Sequence, residues 1–468
     1  MLKRTPISNT PQLIGEKLLI SGWVHVRRDH GKLAFFEIRD ASGIVQAVYF
    51  NSKDKEGYNK IVAEIRTEFV VELVGSVKKR PDNMVNIDHP TGSVEFEIES
   101  IKILSRSKTT PFEITESKKS IGEEVRMKYR YLDLRRVDMQ ENIRCRAKLI
   151  AAFRNYLNSN GFVEIETPIL TKSSPEGSRD FVVPSRINSG KFYALPQAPQ
   201  QFKQLLMIGG FEKYYQIARC FRDEDLRNDR QPEFTQLDLE MSFVSQEDIL
   251  EFSEEMFKQV VSEIAPQKKL PKQFTRLTYN EAMDKYKTDK PDLRNDKSDQ
   301  NELAFAWITD FPLFEKTPEG HITYAHNPFA QPHPDDIHLL DGSEDDLLKI
   351  RALSYDLVLN GYELSSGSMR IHDPQLQRRV LKRFGLSEQQ IEDRFGQFLS
   401  AFEYGTPPHG GLAPGLDRLL MILQNESSIR EVIAFAKTGD MRDLMLESPS
   451  HLDDKHLKEL NISVNKKD

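Results

Sequence analysis

The sequence predicts an α+β protein in two parts: a small five-stranded β-barrel, then a larger domain in which an antiparallel sheet is flanked by helices. Three observations carry the prediction. Five short, apolar-rich alternating runs occupy the first 105 residues, separated by turn residues. Beyond them, a stretch of helical period at 137–160 is followed by two hairpin patterns, at 214–243 and around Asn360-Gly361. Neither a GxxxxGK[ST] phosphate loop nor a GxGxxG dinucleotide fingerprint is present.

Composition sets the bounds. With 468 residues, 38% hydrophobic and 29% charged, the chain can bury a large core and divides into two or three folded domains rather than remaining disordered. No apolar run is long enough to span a membrane. The start, MLKRTPISNTPQ, lacks the apolar core of a signal peptide, so a cytoplasmic location is expected. Cys145 and Cys220 stand far apart without a metal-ligand pattern, which argues against a disulfide framework or a zinc site. A net charge of −7 argues against indiscriminate coating of nucleic acid, while leaving room for a local basic surface that reads one RNA.

The five runs are Lys17–Val26, Leu33–Arg39, Ile44–Phe50, Phe69–Val77 and Val94–Leu104, a set that suits an oligonucleotide-binding barrel over residues 1–105. Arg27, Arg28 and Lys32 lie near Phe35 and Phe36, and cations beside aromatics grip unstacked bases. Alternation sends at least one of the two phenylalanines into the core, leaving the other as the candidate stacker. Residues 106–136 read as a polar connector; Arg135 and Arg136 could touch phosphates, but a solvated linker is the default.

The larger domain is expected over 137–468. A helix at 137–160 carries Ile143, Ala147, Ile150, Phe153 and Leu157 at helical spacing and stops at Gly161. FVEIETPIL follows, with Pro168 favouring a sheet edge. The loop KSSPEGSRDFVVPSR contains Glu176, and the next helix begins with Gln200 and Lys203 on one face. A lone lysine of this kind is ordinarily a surface solvator.

In the hairpin 214–243, Thr235, Leu237, Leu239 and Met241 alternate with Gln236, Asp238 and Glu240. Three polar side chains in a row make a floor for a polar ligand. Arg219 and Arg222 add anion-binding forks and Phe234 a stacking ring, which together outweigh the reading as a solvated hairpin tip. Residues 244–300 are charged and helical in outline, and end in a turn-rich stretch. Pairing Leu359 with Tyr362 around Asn360-Gly361 sets Asp356 against Ser365 and puts Asp356 and Glu363 on one sheet face. Two such carboxylates suit Mg²⁺ together with phosphate oxygens; a hairpin with two outward acids and no metal is the alternative. Arg370 follows an SSGS segment expected to be flexible. Ser387 and Gln390 form a capping box before a helix bearing Ile391, Phe395, Phe398, Leu399 and Phe402. In GTPPHGGLAPGLDRLLMIL, glycines allow close backbone approach, and Arg418 near a helix start favours a phosphate.

FRDEDLRNDRQPEFTQLDLEMSF closely resembles the second signature motif of class II aminoacyl-tRNA synthetases, in its aspartyl form. GTPPHGGLAPGLDRLLMIL resembles the third motif. The helix 137–160 with Pro168 beyond it resembles the first, which forms a homodimer interface. The resemblance implies an enzyme that activates L-aspartate with ATP and transfers it to tRNA(Asp). It assigns Arg222 to the α-phosphate, Arg418 to the γ-phosphate, Phe234 and Glu224 to adenine, and Asp356 with Glu363 to Mg²⁺. For aspartate it implies Glu176 and Asp238 at the ammonium, Gln200 at the backbone end, Lys203 and Arg370 at the side-chain carboxylate, and His326 as a further contact. Phe35 and Gln46 match anticodon-base contacts and Arg28 a backbone contact. His30 in RRDHG matches relatives that also charge tRNA(Asn), which extends the expectation to that tRNA.

The chain departs from the family pattern in three places. Val26 replaces a basic residue, Ala198 replaces a serine beside the substrate, and the large domain usual after residue 300 in common bacterial forms has no room here. Two alternatives stand beside this reading: an asparaginyl-tRNA synthetase, against which Lys203 and Arg370 speak, and a catalytically silent RNA-binding paralogue, against which Arg222, Glu363 and Arg418 speak.

Overall fold

A computed structural model describes residues 2–50, 56–87, 89–115, 118–173 and 178–465, and the chain divides into two units, 1–125 and 126–468. In the first, all five predicted runs are strands: β1 (Lys17–His30), β2 (Leu33–Asp40), β3 (Gly43–Phe50), β4 (Val70–Lys79) and β5 (Val94–Ser105). They close a barrel in the order β1-β2-β3-β5-β4. Alternation fills it with Ile20, Val24, Phe36, Ile38, Val71, Leu73 and Phe96. Phe36 is core and Phe35 half-exposed, so the even-numbered side chains of β2 face inward. Helix α1 (Glu56–Glu64), not anticipated from the sequence, joins β3 to β4 and sets Val62 against the core. Its last carbonyls take Arg27, whose guanidinium donates to Val62 O at 2.9 Å and Ile65 O at 2.6 Å. Arg27 is thereby a helix anchor, and its guanidinium also lies 5.9 Å from the centre of the Phe36 ring, the cation-beside-aromatic placement expected from the sequence.

The stretch expected to be a solvated linker is different. Short helices α2 (Glu123–Lys128) and α3 (Arg130–Asp133) bring three arginines onto the fully buried Asp133. Arg130 lies 2.6 Å from it, Arg126 and Arg136 3.5 Å, and Arg126 also meets Glu431 at 2.6 Å. A basic run with one interspersed acid reads as solvated; with Glu431 supplied from a distant part of the chain it becomes a buried network. Arg136 is buried in it and faces no solvent.

The second unit is built on an eight-stranded sheet. In chain order come α4 (Val137–Ser159), β6 (Val163–Glu164), the small hairpin β7 (Val182–Pro184) and β8 (Phe192–Ala194), α5 (Gln200–Ile208), β9 (Lys213–Phe221) and β10 (Glu233–Ser242). Next are α6 (Gln246–Ile264), β11 (Thr275–Thr278), α7 (Tyr279–Tyr286), β12 (Phe305–Thr309), and the pair β13 (Phe314–Lys316) and β14 (Ile322–Tyr324). After the one-turn α8 (Glu344–Leu347) come β15 (Ser354–Leu359), β16 (Tyr362–Met369), α9 (Pro374–Arg383), α10 (Glu388–Phe402), β17 (His409–Leu412) and α11 (Leu416–Leu423). The order is β11-β12-β15-β16-β17-β10-β9-β6, antiparallel in the centre and parallel only at the two edge pairs.

One face of β10 (Leu237, Leu239, Met241) packs into a core with Phe153 and Leu157 of α4, Phe257 and Val260 of α6, and Leu419 and Leu420 of α11. Asp238 and Glu240 therefore point to the other face, where they meet Lys203 and Arg370. The predicted capping box of α10 is present. Asn360 and Gly361 both take positive φ, 51° and 86°, and pair Leu359 with Tyr362 as expected. A bulge then inserts Leu364, which is 2% exposed and belongs to the core. It moves the register by one, so Asp356 faces Ser366 and not Ser365. The SSGS segment is itself part of β16 and largely buried, the opposite of a flexible linker.

Phe257 joins α6 to α4 through an edge-on contact with Phe153 and to the sheet through Phe305. Phe257→Ala should lower the stability of this unit by about 3–5 kcal/mol in denaturant unfolding; a loss under about 1 kcal/mol would show that these layers are held together by something else.

Candidate functional site

On the face of the sheet turned away from the core lies a buried quartet of charges, the floor of the candidate site. Lys203, from the first turn of α5, places Nζ 2.8 Å from Asp238 Oδ1 and 3.2 Å from Glu240 Oε2. Arg370, immediately after β16, lies with Nε 3.0 Å from Glu240 Oε1 and donates from Nη1 to Ser368 Oγ at 2.6 Å. All four side chains are at most 2% exposed. Two cations balanced by two carboxylates satisfy the requirement that buried charge be paired. Burial pushes Asp238 up from the usual carboxylate range against the pull of Lys203. For Glu240, burial also pushes upward, but Arg370 and Lys203 together outweigh it and hold the carboxyl low. Asp238 Oδ2 accepts no hydrogen bond among the described residues; the nearby Tyr214 hydroxyl donates to Gln216 Oε1 at 3.0 Å instead, and burial, followed by the Asp238 charge beside it, raises that phenol's pKa. Gln200, one turn before Lys203, lies beside them at 9% exposure.

A second cluster sits on the β15–β16 hairpin. Asp356 is 1% exposed, and its Oδ1 lacks a hydrogen-bond partner among the described residues. Burial, with Glu363 close by, pushes its pKa well up. Glu363 is held low despite burial by Lys290, which meets it at 2.8 Å. His326 packs against Phe311 in a tilted arrangement, ring centroids 4.4 Å apart and planes at 58°, and puts Nδ1 4.0 Å from Asp356 Oδ1. Burial lowers its pKa, so at neutral pH this is a neutral imidazole beside the acid. Among the described residues no group of three or more His, Cys, Asp or Glu is placed to hold a metal by itself. The acid pair, with one orphaned buried oxygen, nevertheless fits a divalent cation that also takes ligand oxygens.

Arg222 begins the loop after β9, with its guanidinium 5.1 Å above the Phe234 ring and Nε buried without a partner among the described residues. Glu224 accepts from the Ser178 hydroxyl and pairs with Arg230 at 3.2 Å. Arg418, in the first turn of α11, donates to the carbonyl of Glu363 and pairs with Asp229 at 3.2 Å. Arg219, read with Arg222 as an anion binder, is tied to Glu233 at 2.6 Å. Glu176 lies outside the described residues.

In the barrel, Arg28, His30, Phe35 and Gln46 line a common pocket on the outer surface, together with Val26, Phe36 and Glu37. His30 meets Phe35 edge-on at 5.8 Å, and Arg28 pairs with Glu37 at 2.8 Å. These side chains offer a stacking ring, an amide and a cation, the set that recognises a splayed base.

Sequence reasoning saw Glu240 only as part of a polar floor and missed its central place between the two cations. It missed Lys290 altogether, because that lysine lies 73 positions from its partner Glu363 in a turn-rich stretch without periodicity.

A model described as tRNA synthetases class II (D, K and N) matches residues 122–439, and one described as an OB-fold nucleic acid binding domain matches 18–104. The chain is 42% identical to the "Aspartate--tRNA(Asp/Asn) ligase" of Caldanaerobacter subterraneus subsp. tengcongensis, covering 96% of both chains. It is 38% identical to the "Aspartate--tRNA ligase" of Staphylococcus saprophyticus, covering 99% of this chain and 100% of that one. These alignments run to 575 and 591 residues, longer than this chain, so the relatives carry a long segment that it lacks. In fold it is similar to an asparaginyl-tRNA synthetase from Pyrococcus horikoshii (TM-score 0.74, 23% identity, 94% of this chain and 99% of that one). It is also similar to an aspartyl-tRNA synthetase from Entamoeba histolytica (TM-score 0.73, 23% identity, 93% and 91%).

Asp356 provides a test of the acid pair. Its raised pKa means that folding favours the protonated acid, so its contribution is most favourable at low pH and is lost as pH rises from the ordinary carboxylate range through the raised value. Asp356→Asn removes that charge. At neutral pH it should be more resistant to denaturant than the unsubstituted chain, and the difference should shrink on acidification. A destabilised Asn variant at neutral pH would contradict the assignment.

Proposed function

The chain belongs to the class II aminoacyl-tRNA synthetases of the aspartate, lysine and asparagine group, and from that premise we propose that it is an aspartate–tRNA ligase acting on tRNA(Asp) and tRNA(Asn). The observation that carries the substrate is the buried Lys203–Asp238–Glu240–Arg370 quartet. Lys203 has three N–H donors and Arg370 five, more than Asp238, Glu240 and Ser368 consume. The remaining N–H groups donate to a carboxylate, and would meet the NH₂ of asparagine with no acceptor to offer it. Asp238 Oδ2 is the open acceptor for the substrate ammonium, joined by Gln200 and by Glu176 from its loop.

In the first step the α-carboxylate of aspartate attacks the α-phosphorus of ATP, forming aspartyl-adenylate and releasing pyrophosphate. In the second, the 3′-hydroxyl of the terminal tRNA adenosine attacks the activated carbonyl and releases AMP. No protein nucleophile is needed, because the attacking carboxylate is already ionised; orientation and charge stabilisation lower the barrier. Arg222, its Nε without a partner among the described residues and its guanidinium resting on Phe234, takes the α-phosphate as charge builds there. Phe234 stacks on adenine with Glu224 at its amino group, and Arg418 holds the γ-phosphate. Asp356 and Glu363 would hold Mg²⁺, which supplies charge neutralisation across the phosphates. His326 borders the amino acid beside this acid pair.

The barrel pocket reads the anticodon through stacking on Phe35, the amide of Gln46 and the Arg28 cation. His30, edge-on to Phe35, and the names of relatives that mention both tRNAs support charging of tRNA(Asn) as well. Val163, Ile169 and Leu170, exposed around the edge strand β6, support a homodimer across that edge. Cytoplasmic location follows from the proposed role in translation.

Pyrophosphate exchange should run with aspartate and fail with asparagine, and Arg370→Lys should cut kcat/KM for aspartate about a hundredfold or more because the fork is lost. Equal exchange with asparagine would overturn the substrate reading. Phe35→Ala should raise the KM for tRNA about tenfold while leaving exchange unchanged; an equal loss in both assays would deny the barrel its separate role. Purified tRNA(Asn) should be charged within about tenfold of the tRNA(Asp) rate, and a rate a thousandfold lower would remove it from the substrates.

A further inference from the structure

The hydrogen bonds behind Gln200 form a single line across two elements. His409, fully buried at the start of β17, has Nδ1 2.8 Å from the carbonyl oxygen of Pro407. A backbone carbonyl can only accept, so Nδ1 carries the proton. Burial lowers the ring's pKa, which leaves Nε2 bare and an acceptor at neutral pH. Gln204, 0% exposed on α5, presents Nε2 to that nitrogen at 3.1 Å. Only the NH₂ end of its amide can satisfy an acceptor, and its Oε1 must then turn the other way. There it accepts from Gln200 Nε2 at 3.2 Å. The donor end of Gln200 is thus directed at Gln204, and Oε1 is the end left for the pocket.

We propose that His409 and Gln204 are positioning residues that fix the amide of Gln200, so that it offers an acceptor oxygen to the substrate ammonium. The inference rests on the reading of this pocket as an amino-acid site. Free amides reverse at little cost in water, since both ends find partners there. In this buried line a reversal of Gln200 alone would set its amide oxygen against that of Gln204, two acceptors with no proton between them. Reversal of Gln200 and Gln204 together would set the Gln204 oxygen against the bare Nε2 of His409. The polarity of one backbone carbonyl is in this way carried through three side chains to the ligand. Neither His409 nor Gln204 touches substrate.

The test is aspartate-dependent pyrophosphate exchange by the full chain with Gln204→Met, His409→Asn and the double variant. Each single change breaks the line at a different place and lets Gln200 reverse. The KM for aspartate should rise about ten- to a hundredfold, the loss of one hydrogen bond to a charged group, with the KM for ATP within threefold. The double variant should be no worse than the worse single, because both act through one amide. Folded variants with an unchanged aspartate KM, or with both KM values raised alike, overturn the proposal. Should the variants fail to fold, ¹⁵N spectra of the unsubstituted protein labelled at histidine decide: a proton on Nδ1 of His409 supports the line, and a proton on Nε2 alone overturns it. Failure of the unsubstituted protein to exchange with aspartate would instead overturn the functional reading beneath it.

Discussion

Glu240 is the constraint on which the pocket depends. It sits on the interior strand β10 and holds Arg370, which follows the end of β16, together with Lys203, which comes from α5. Taking either cation out of water without it would be costly, and removing one partner of a buried ion pair typically loses about 3–5 kcal/mol. With Glu240 and Asp238 both present the quartet is neutral as a whole. The two cations are then held in fixed positions, still with donors to spare for an incoming carboxylate. On the proposed substrate reading, this rigidity is what would select an acid over its amide: a loose lysine on the surface would turn away from the wrong ligand at little cost.

The second acid pair is arranged on the opposite principle. Asp356 and Glu363 repel one another in a buried setting, relieved mainly at Glu363, where Lys290 meets the carboxylate and Arg418 adds to it. Asp356 keeps an unpaired oxygen among the described residues, a sign of a group placed for something other than stability. The core beneath explains how the strain is carried: the sheet is packed against α4, α6 and α11 by large apolar side chains, and the bulge at Leu364 is fixed by its burial there.

How much was legible in the sequence follows the range of the interactions. The barrel strands, α4 and its glycine stop, the Asn360-Gly361 turn and the capping box of α10 are set by neighbours within a few residues, and the sequence reading placed them correctly. The alternation of β10 likewise put Asp238 and Glu240 on the face opposite the core, where Lys203 and Arg370 meet them. What was missed depends on distant partners. The bulge at Leu364 arises because a buried leucine must reach the core, and alternation on its own predicts an unbroken register. Arg126, Arg130 and Arg136 read as solvated because Glu431 is some three hundred positions away. Arg27 looked like a free cation because α1, whose carbonyls it satisfies, carries little signal. The central place of Glu240 required knowing that two cations from separate elements converge on it.

The most direct test is the ratio of pyrophosphate exchange with aspartate to that with asparagine in Glu240→Gln. The amide keeps the shape of the side chain and removes the charge that anchors Arg370 and Lys203. If the quartet sets selectivity, the preference for aspartate should fall by about a hundredfold or more while the KM for ATP stays within threefold. A folded Gln variant that keeps the full preference would contradict the account.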